Sequence, residues 1–163
     1  MKAILKIENK EIEVEVSEEQ IEKLTAKKKN PFYMYGQGGD FYYIDVTGKL
    51  MSGYDNGAEV FAKMNKVANY CTDRDLIQQQ AWRETLNRLL WRWQHENDEP
   101  VDWSCLGTKK YGIYLDIETN KFNVSFANIS KVQTIHFSSK EKAEQAIEEV
   151  VKPFMAEHPD FIW

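Results

Sequence analysis

Alternation of apolar and polar residues, the period of a half-buried strand, recurs in three places along the chain. In each place two alternating stretches lie on either side of a short polar turn, which predicts a β-hairpin. The predicted strand pairs are Ala3 to Glu8 with Glu11 to Val16, Asp40 to Val46 with Leu50 to Tyr54, and Tyr111 to Ile117 with Phe122 to Ala127. A further short strand is predicted over Thr134 to Phe137. There His136 should face solvent if its apolar neighbours face the core.

Three other stretches have the spacing of apolar residues that predicts an amphipathic helix. Each begins beside a hydroxyl-bearing residue that can cap a helix: Ser17, Thr72 and Ser138. The first is short and ends in Lys27-Lys28-Lys29, whose cations suit the negative end of the helix dipole. The second should extend to about Asn97. The third has the cleanest stripe, and Pro153 is expected to kink its final turn.

Two segments fit neither pattern. Asp55 to Lys66 contains Asn56-Gly57 and predicts a loop with a helical turn at most. The end of the chain, His158 to Trp163, is too apolar for a solvated tail. We therefore expect it to pack back on the domain or to dock on a partner.

These elements predict an α+β fold of antiparallel hairpins, each followed by a helix, in ββα-type units packed helix on sheet. The expected divisions are an N-terminal ββα leader over residues 1–30 and a main domain over 40–163, with a linker near Lys28 to Gly39. Within the main domain, residues 40–97 and 108–157 share one plan, in which Tyr70-Cys71-Thr72-Asp73 aligns with Phe137-Ser138-Ser139-Lys140. Duplication and convergence on the same strand-to-helix cap both explain this similarity.

The composition narrows the classes of protein to which this chain can belong. With 163 residues, 42% of them hydrophobic, the chain can bury a core and is not a disordered tail. No apolar run approaches the roughly 20 residues that span a bilayer, and the N-terminus breaks early into charge, so we expect a cytoplasmic protein. Cys71 and Cys105 lack disulfide or zinc spacing and are expected to be buried thiols.

No recognised catalytic motif occurs in the sequence, and His95, His136 and His158 lie on different elements. We therefore expect neither an enzyme nor a cofactor, and an active site built from dispersed acids and histidines is the weakest hypothesis. Gly36 to Gly39 favours a linker over a phosphate-binding loop. Nucleotide binding remains an alternative, with Lys27 to Lys29 on the phosphate and with aromatic rings that can stack a base: Phe32, Tyr33, Tyr35, Tyr42 and Tyr43.

Acidic residues form two clusters in a chain whose net charge is −5. That charge argues against direct contact with a nucleic-acid backbone and favours a basic protein partner. One cluster follows the long helix and one lines the last helix: Glu96, Asp98, Glu99 and Asp102, then Glu141, Glu144, Glu148 and Glu149. Carboxylates at a helix C-terminus oppose the dipole, so the first cluster is not explained by helix stability. Either both clusters are solvated faces, or they imitate phosphates and occupy Arg and Lys sites on a nucleic-acid-handling protein.

Three segments resemble small accessory proteins of phages and prophages in Gram-positive bacteria. They are ILKIENKEIEVEVSEEQ at residues 4–20, FYYIDVTGKL at 41–50 and IHFSSKEKAEQAIEEV at 135–150. Proteins of this type are often anti-defence factors, including anti-CRISPR proteins. The resemblance therefore implies stoichiometric inhibition of a bacterial immune effector, for example a CRISPR-Cas nuclease, by binding rather than catalysis. It carries no functional residue onto this chain.

Overall fold

The computed structural model describes residues 2–7, 10–15, 30–36, 38–105, 107–127 and 135–163, with the backbone alone for 2–7 and 10–15. The strands are β1 (Lys2–Ile7), β2 (Lys10–Glu15), β3 (Asp40–Ile44), β4 (Leu50–Tyr54), β5 (Lys110–Asp116) and β6 (Lys121–Ala127). The helices are α1 (Glu59–Lys66), α2 (Arg74–Asn97), α3 (Lys140–Ala146) and α4 (Lys152–Glu157), with a π-helical turn, Ile147–Val151, joining the last two. The α+β class predicted from the sequence is confirmed.

Each predicted hairpin forms an antiparallel pair. The first pairs Ile7 with Lys10, so Lys10 belongs to a strand and not to the turn in which the sequence placed it. The other two pair Ile44 with Leu50 and Asp116 with Lys121 at their turns. The helix predicted after Ser17, with its three lysines, lies outside the described residues.

Each of the two larger hairpins is extended by one backbone bridge to a residue outside it. Tyr42 exchanges two backbone hydrogen bonds with Cys71, at 2.7 and 2.9 Å, and Tyr111 does the same with Phe137, at 3.0 and 2.8 Å. In both cases the added residue pairs with the first strand of the hairpin and comes just before a helix. The predicted strand at 134–137 is thus represented by one bridge at Phe137.

Helices α2 and α3 are each capped one residue later than the sequence predicted. The N-caps are Asp73, which accepts bonds from the amides of Asp75 and Leu76, and Ser139, which accepts one from Lys142. Each cap lies two residues after its bridge, so Cys71 corresponds to Phe137, one residue out of step with the sequence alignment. Thr72 and Ser138 do not cap because their hydroxyls donate elsewhere.

Three further predictions were wrong. Residues 59–66 form helix α1 instead of a loop, and Phe61 of this helix packs edge-on against Phe41 with ring centroids 4.9 Å apart. His136 is buried against the Trp103 ring, at 4.8 Å, although alternation placed it in solvent. Cys71 is buried as expected, but Cys105 lies in an exposed loop.

The described part of the predicted linker is hydrogen-bonded to the main domain. The Pro31 carbonyl accepts from the Thr72 amide at 2.7 Å, and the Phe32 carbonyl accepts from the Asn65 side chain at 2.7 Å. The Tyr35 amide donates to the Tyr70 hydroxyl. Such long-range bonds fix a backbone that a free linker would leave to water.

Helix α2 packs against two hydrophobic clusters. Its first half places Ile77 and Ala81 against Ile44 of the second hairpin. Its second half places Leu86, Leu90 and Trp93 against the aromatic and aliphatic residues that follow β5. We refer to residues 40–97 as the first unit and 108–157 as the second unit. The long helix therefore belongs by sequence to the first unit and packs on both.

The end of the chain packs back, as the sequence predicted. Phe161 is buried, and the Gln79 side chain both donates to the Asp160 carbonyl and accepts from the Ile162 amide. Upstream, regular α-helical geometry gives way to the π turn Ile147–Val151, which ends two residues before Pro153. Among the described helices, none is both long and apolar enough to cross a membrane.

A candidate acidic groove

A groove of about 260 Å³ lies between the second half of α2 and the C-terminal helix, residues 140–157. We call it the acidic groove. Its lining residues are Leu89, Arg92, Trp93, Glu96, Glu149, Val150, Pro153, Phe154 and Glu157. It thus contains three carboxylates and one guanidinium around an apolar floor.

Helical spacing explains why these side chains meet. Leu89, Trp93 and Glu96 recur on one face of α2, and Glu149, Pro153 and Glu157 recur every four residues on the C-terminal helix. Trp93 and Phe154 turn inward and are buried. The glutamates remain exposed at the rim. The groove therefore has an aromatic floor and a charged edge.

Glu149 is the carboxylate whose orientation is most fully determined. One of its oxygens accepts from the Trp93 indole N–H at 2.8 Å, and the other accepts from the Gln145 side chain at 2.8 Å. The Gln145 bond, followed by that from Trp93, lowers the pKa of the Glu149 carboxyl. Glu149 is therefore anionic at neutral pH and fixed in direction before any partner arrives.

The acidic residues at the end of α2 and in the segment that follows it have different roles. Glu96, in the last turn of α2, reaches the groove, and Glu99 is exposed. Asp98 accepts from the Ser138 amide at 2.8 Å and from the Ser138 hydroxyl. Asp102 accepts from Ser104 within its own loop, and the Ser104 hydroxyl chiefly lowers the pKa of the Asp102 carboxyl. The Asp98 carboxylate thus joins the end of α2 to the approach of α3.

The acidic residues of the last helix divide in the same way. Glu144 pairs with Lys140 at 3.1 Å and Glu148 pairs with Lys152, both as exposed contacts four residues apart. Hydrogen bonds at the helix start, first from its own amide, lower the pKa of the Glu141 carboxyl. Of the eight acids singled out from the sequence, only Glu96 and Glu149 line the groove.

Glu157 was missed by the sequence reasoning. It lies eight residues after Glu149 on the same helix, beyond the acidic run that drew attention. Helical spacing extended from Glu149 would have found it. Arg92 and the aromatic floor could not be assigned without knowing which faces of the two helices meet.

The glycine loop offers little to a phosphate. The Gly36 amide donates to the Asp55 carboxylate at 3.1 Å, and the Gly38 amide donates to the Asp55 carbonyl at 2.7 Å. These two donors are already occupied by an acid of the same chain. The aromatic set also divides, because Tyr33 and Tyr35 are exposed whereas Phe32 and Tyr42 pack on the first-unit core.

The three histidines lie apart, each against aromatic rings. His95 packs on Trp91, His136 on Trp103, and His158 on Trp82 and Phe154. In the part of the chain that the structure describes, no group of three or more His, Cys, Asp or Glu side chains is placed to hold a metal ion.

Neither a protein-family model, a curated protein nor a solved structure matches this chain.

Proposed function

We propose that this protein is a non-enzymatic binding module whose acidic groove docks on a basic surface of another protein. The observation that carries this proposal is the pre-oriented Glu149, which accepts a hydrogen bond from Trp93 and lines the groove together with Glu96 and Glu157. A carboxylate fixed in advance loses less conformational entropy on binding than a freely rotating one. The groove is suited to receive a cationic side chain.

Arginine fits this chemistry better than lysine. A guanidinium can bind a carboxylate through two parallel N–H bonds and can lie flat on an aromatic or proline surface. The groove supplies both features, with carboxylates at the rim and the exposed Pro153 ring beside them. Arg92 is the one lining cation, so an incoming arginine would have to share or exchange the rim carboxylates with it.

The target class that we propose is a bacterial immune effector, of which a CRISPR-Cas nuclease is one example. Nucleases hold nucleic-acid phosphates with arginine and lysine side chains. A protein that places carboxylates on those side chains blocks the site stoichiometrically and needs no contact with nucleic acid itself. On this account the protein is phage-encoded and acts in the cytoplasm of the bacterial host.

The test is capture of partners from a defence-bearing bacterial lysate by three tagged proteins. The wild type is compared with Glu96→Lys/Glu157→Lys, which reverses the groove rim and leaves Glu149 in place. Glu144→Lys/Glu148→Lys is the matched control, because it makes the same change of charge on the outer face. We expect the groove variant to lose a salt-sensitive, stoichiometric partner that the control retains. Equal capture by all three proteins would refute the proposal.

The nucleotide-binding alternative keeps the exposed Tyr33 and Tyr35 rings but loses two amide donors to Asp55. Titration calorimetry with cyclic and ADP-ribose-type nucleotides tests it directly. Absence of heat across these ligands would end it.

A further inference from the structure

Arg92 is the cation that lines the acidic groove, and its guanidinium is left unpaired where comparable side chains are paired. The described helices contain five pairs of oppositely charged side chains four residues apart. Four of them form ion pairs: Glu59–Lys63, Glu84–Arg88, Lys140–Glu144 and Glu148–Lys152. The fifth is Arg92 with Glu96, and both of these side chains line the groove and are exposed. Among the described residues, Arg92 therefore has no ion-pair partner within 4.0 Å.

The fixed carboxylate of the groove also does not depend on Arg92. The bonds from Gln145 and then Trp93 lower the pKa of the Glu149 carboxyl, and the cation that adds to this effect is Lys142. Arg92 thus lines the same groove as three carboxylates without neutralising them. The groove offers a guanidinium and carboxylates as separate points of contact.

We propose that the acidic groove recognises a helical segment of mixed charge, in which an acidic side chain binds Arg92 and a basic side chain one turn away binds the glutamates. This inference rests on the proposed function and makes Arg92 a specificity-determining residue. Arg92 and Glu96 are about 6 Å apart along the axis of α2, and charges four residues apart on a partner helix have the same separation.

The chemistry of Arg92 favours such a segment over a purely basic one. A guanidinium can bind a carboxylate through two parallel N–H bonds, so an acidic side chain on the partner gives Arg92 a strong contact. A segment with basic side chains alone would bring like charges together at Arg92, which costs binding energy. Arg92 therefore selects against polybasic partners that the three glutamates alone would accept.

An NMR titration at low salt with two alanine-based helical peptides tests the proposal. One peptide carries Arg and Glu four residues apart, and the other has Gln in place of that Glu. The wild type should bind the mixed-charge peptide about threefold more tightly, the effect typical of one exposed ion pair.

Arg92→Gln should abolish this preference, because it weakens the complex with the mixed-charge peptide and strengthens the complex with the Gln peptide. Arg88→Gln is the matched control. It makes the same change one turn earlier on α2, at an exposed arginine that pairs with Glu84 and does not line the groove. The control should keep the preference of the wild type.

The outcomes separate this inference from the proposed function. Equal affinity of the wild type for the two peptides would overturn the inference and leave the groove as a site for arginine. Loss of the preference in Arg88→Gln as much as in Arg92→Gln would also overturn it, since net charge would then explain the effect. Failure of the wild type to bind either peptide would overturn the proposed function and this inference with it.

Discussion

The first and second units share a backbone plan but differ in what they bury. In each, a bridge residue pairs with the first hairpin strand, and the helix cap follows two residues later. The first unit buries a carboxylate, Asp55, whereas the second buries an ammonium, Lys110, whose Nζ donates to the Cys105 carbonyl. The bridge itself is a thiol in one unit and an aromatic ring in the other.

The comparison shows that the backbone plan shared by the two units does not determine where the acidic groove lies. The shared plan is a matter of backbone hydrogen bonds and helix caps, which many side chains can satisfy. The acidic groove lies where α2 of the first unit meets the C-terminal helix of the second unit. The first unit contributes a helix to the groove and encloses its own polar centre around Asp55.

The bridge residues give the largest expected contrast in stability. Phe137→Ala removes a fully buried ring from the larger cluster and should cost about 3–5 kcal/mol of unfolding free energy. Cys71→Ala removes only a methylene-sized group at the corresponding position and should cost roughly 1 kcal/mol. Urea unfolding of both variants measures the difference. Equal losses would contradict the expectation that Phe137 contributes more to stability than Cys71.

The two aspartates that follow α2 offer the next contrast. Asp98→Ala breaks the contact with Ser138 that joins the units, and hydrogen bonds to a charged group are worth about 1.5–3 kcal/mol. Asp102→Ala removes bonds confined to its own loop and should change thermal stability little. Scanning calorimetry of the pair measures both. A larger loss from Asp102→Ala would contradict the assignment of Asp98 as the structural acid.

Acid should weaken the first unit through Asp55. The Gly57 amide, more than the other donors, lowers the pKa of the Asp55 carboxyl. A lowered folded-state pKa means that ionised Asp55 stabilises the fold above its ordinary pKa, and that this contribution is lost as pH falls through the folded value.

The measurement is the unfolding free energy between about pH 5 and pH 2, for the wild type and for Asp55→Asn. The variant cannot ionise at this position, so its stability should depend less steeply on pH. Identical pH dependence in the two proteins would remove Asp55 from this role.

The sequence predicted the elements better than the contacts between them. Strand alternation and the helical stripe found every hairpin and the long helix, because both patterns are local. The loop predicted over Asp55 to Lys66 was wrong at Glu59–Lys66, a helix whose Phe61 packs against Phe41 of β3. The prediction that His136 faces solvent was wrong because the Trp103 ring, on which it packs, comes from a distant loop.

A local signal for the shared plan was overlooked. Tyr43-Ile44-Asp45 and Tyr114-Leu115-Asp116 both lead into a turn in which the Asp side chain accepts a backbone amide. Each turn then places a residue at positive φ, Gly48 in one and Asn120 in the other. These two motifs align the hairpins more securely than the residues around the caps did.

The site was predictable only in part, for a similar reason. Acidic composition indicated a partner surface, but it could not distinguish carboxylates that fix the fold, such as Asp98, from those at the groove rim. That distinction depends on which helix faces meet, and the contact between α2 and the C-terminal helix joins residues more than 50 positions apart, as in the bond from Trp93 to Glu149.

The most direct test of the central claim measures binding of an oligo-arginine peptide by calorimetry at low salt, with an oligo-glutamate peptide as the negative probe. The groove variant Glu96→Lys/Glu157→Lys is compared with the outer-face variant Glu144→Lys/Glu148→Lys, which carries the same net charge. We predict that the groove variant loses affinity by about tenfold or more while the outer-face variant stays close to the wild type. Equal losses in the two variants would show that net charge alone attracts the peptide, and would contradict the acidic groove as the binding site.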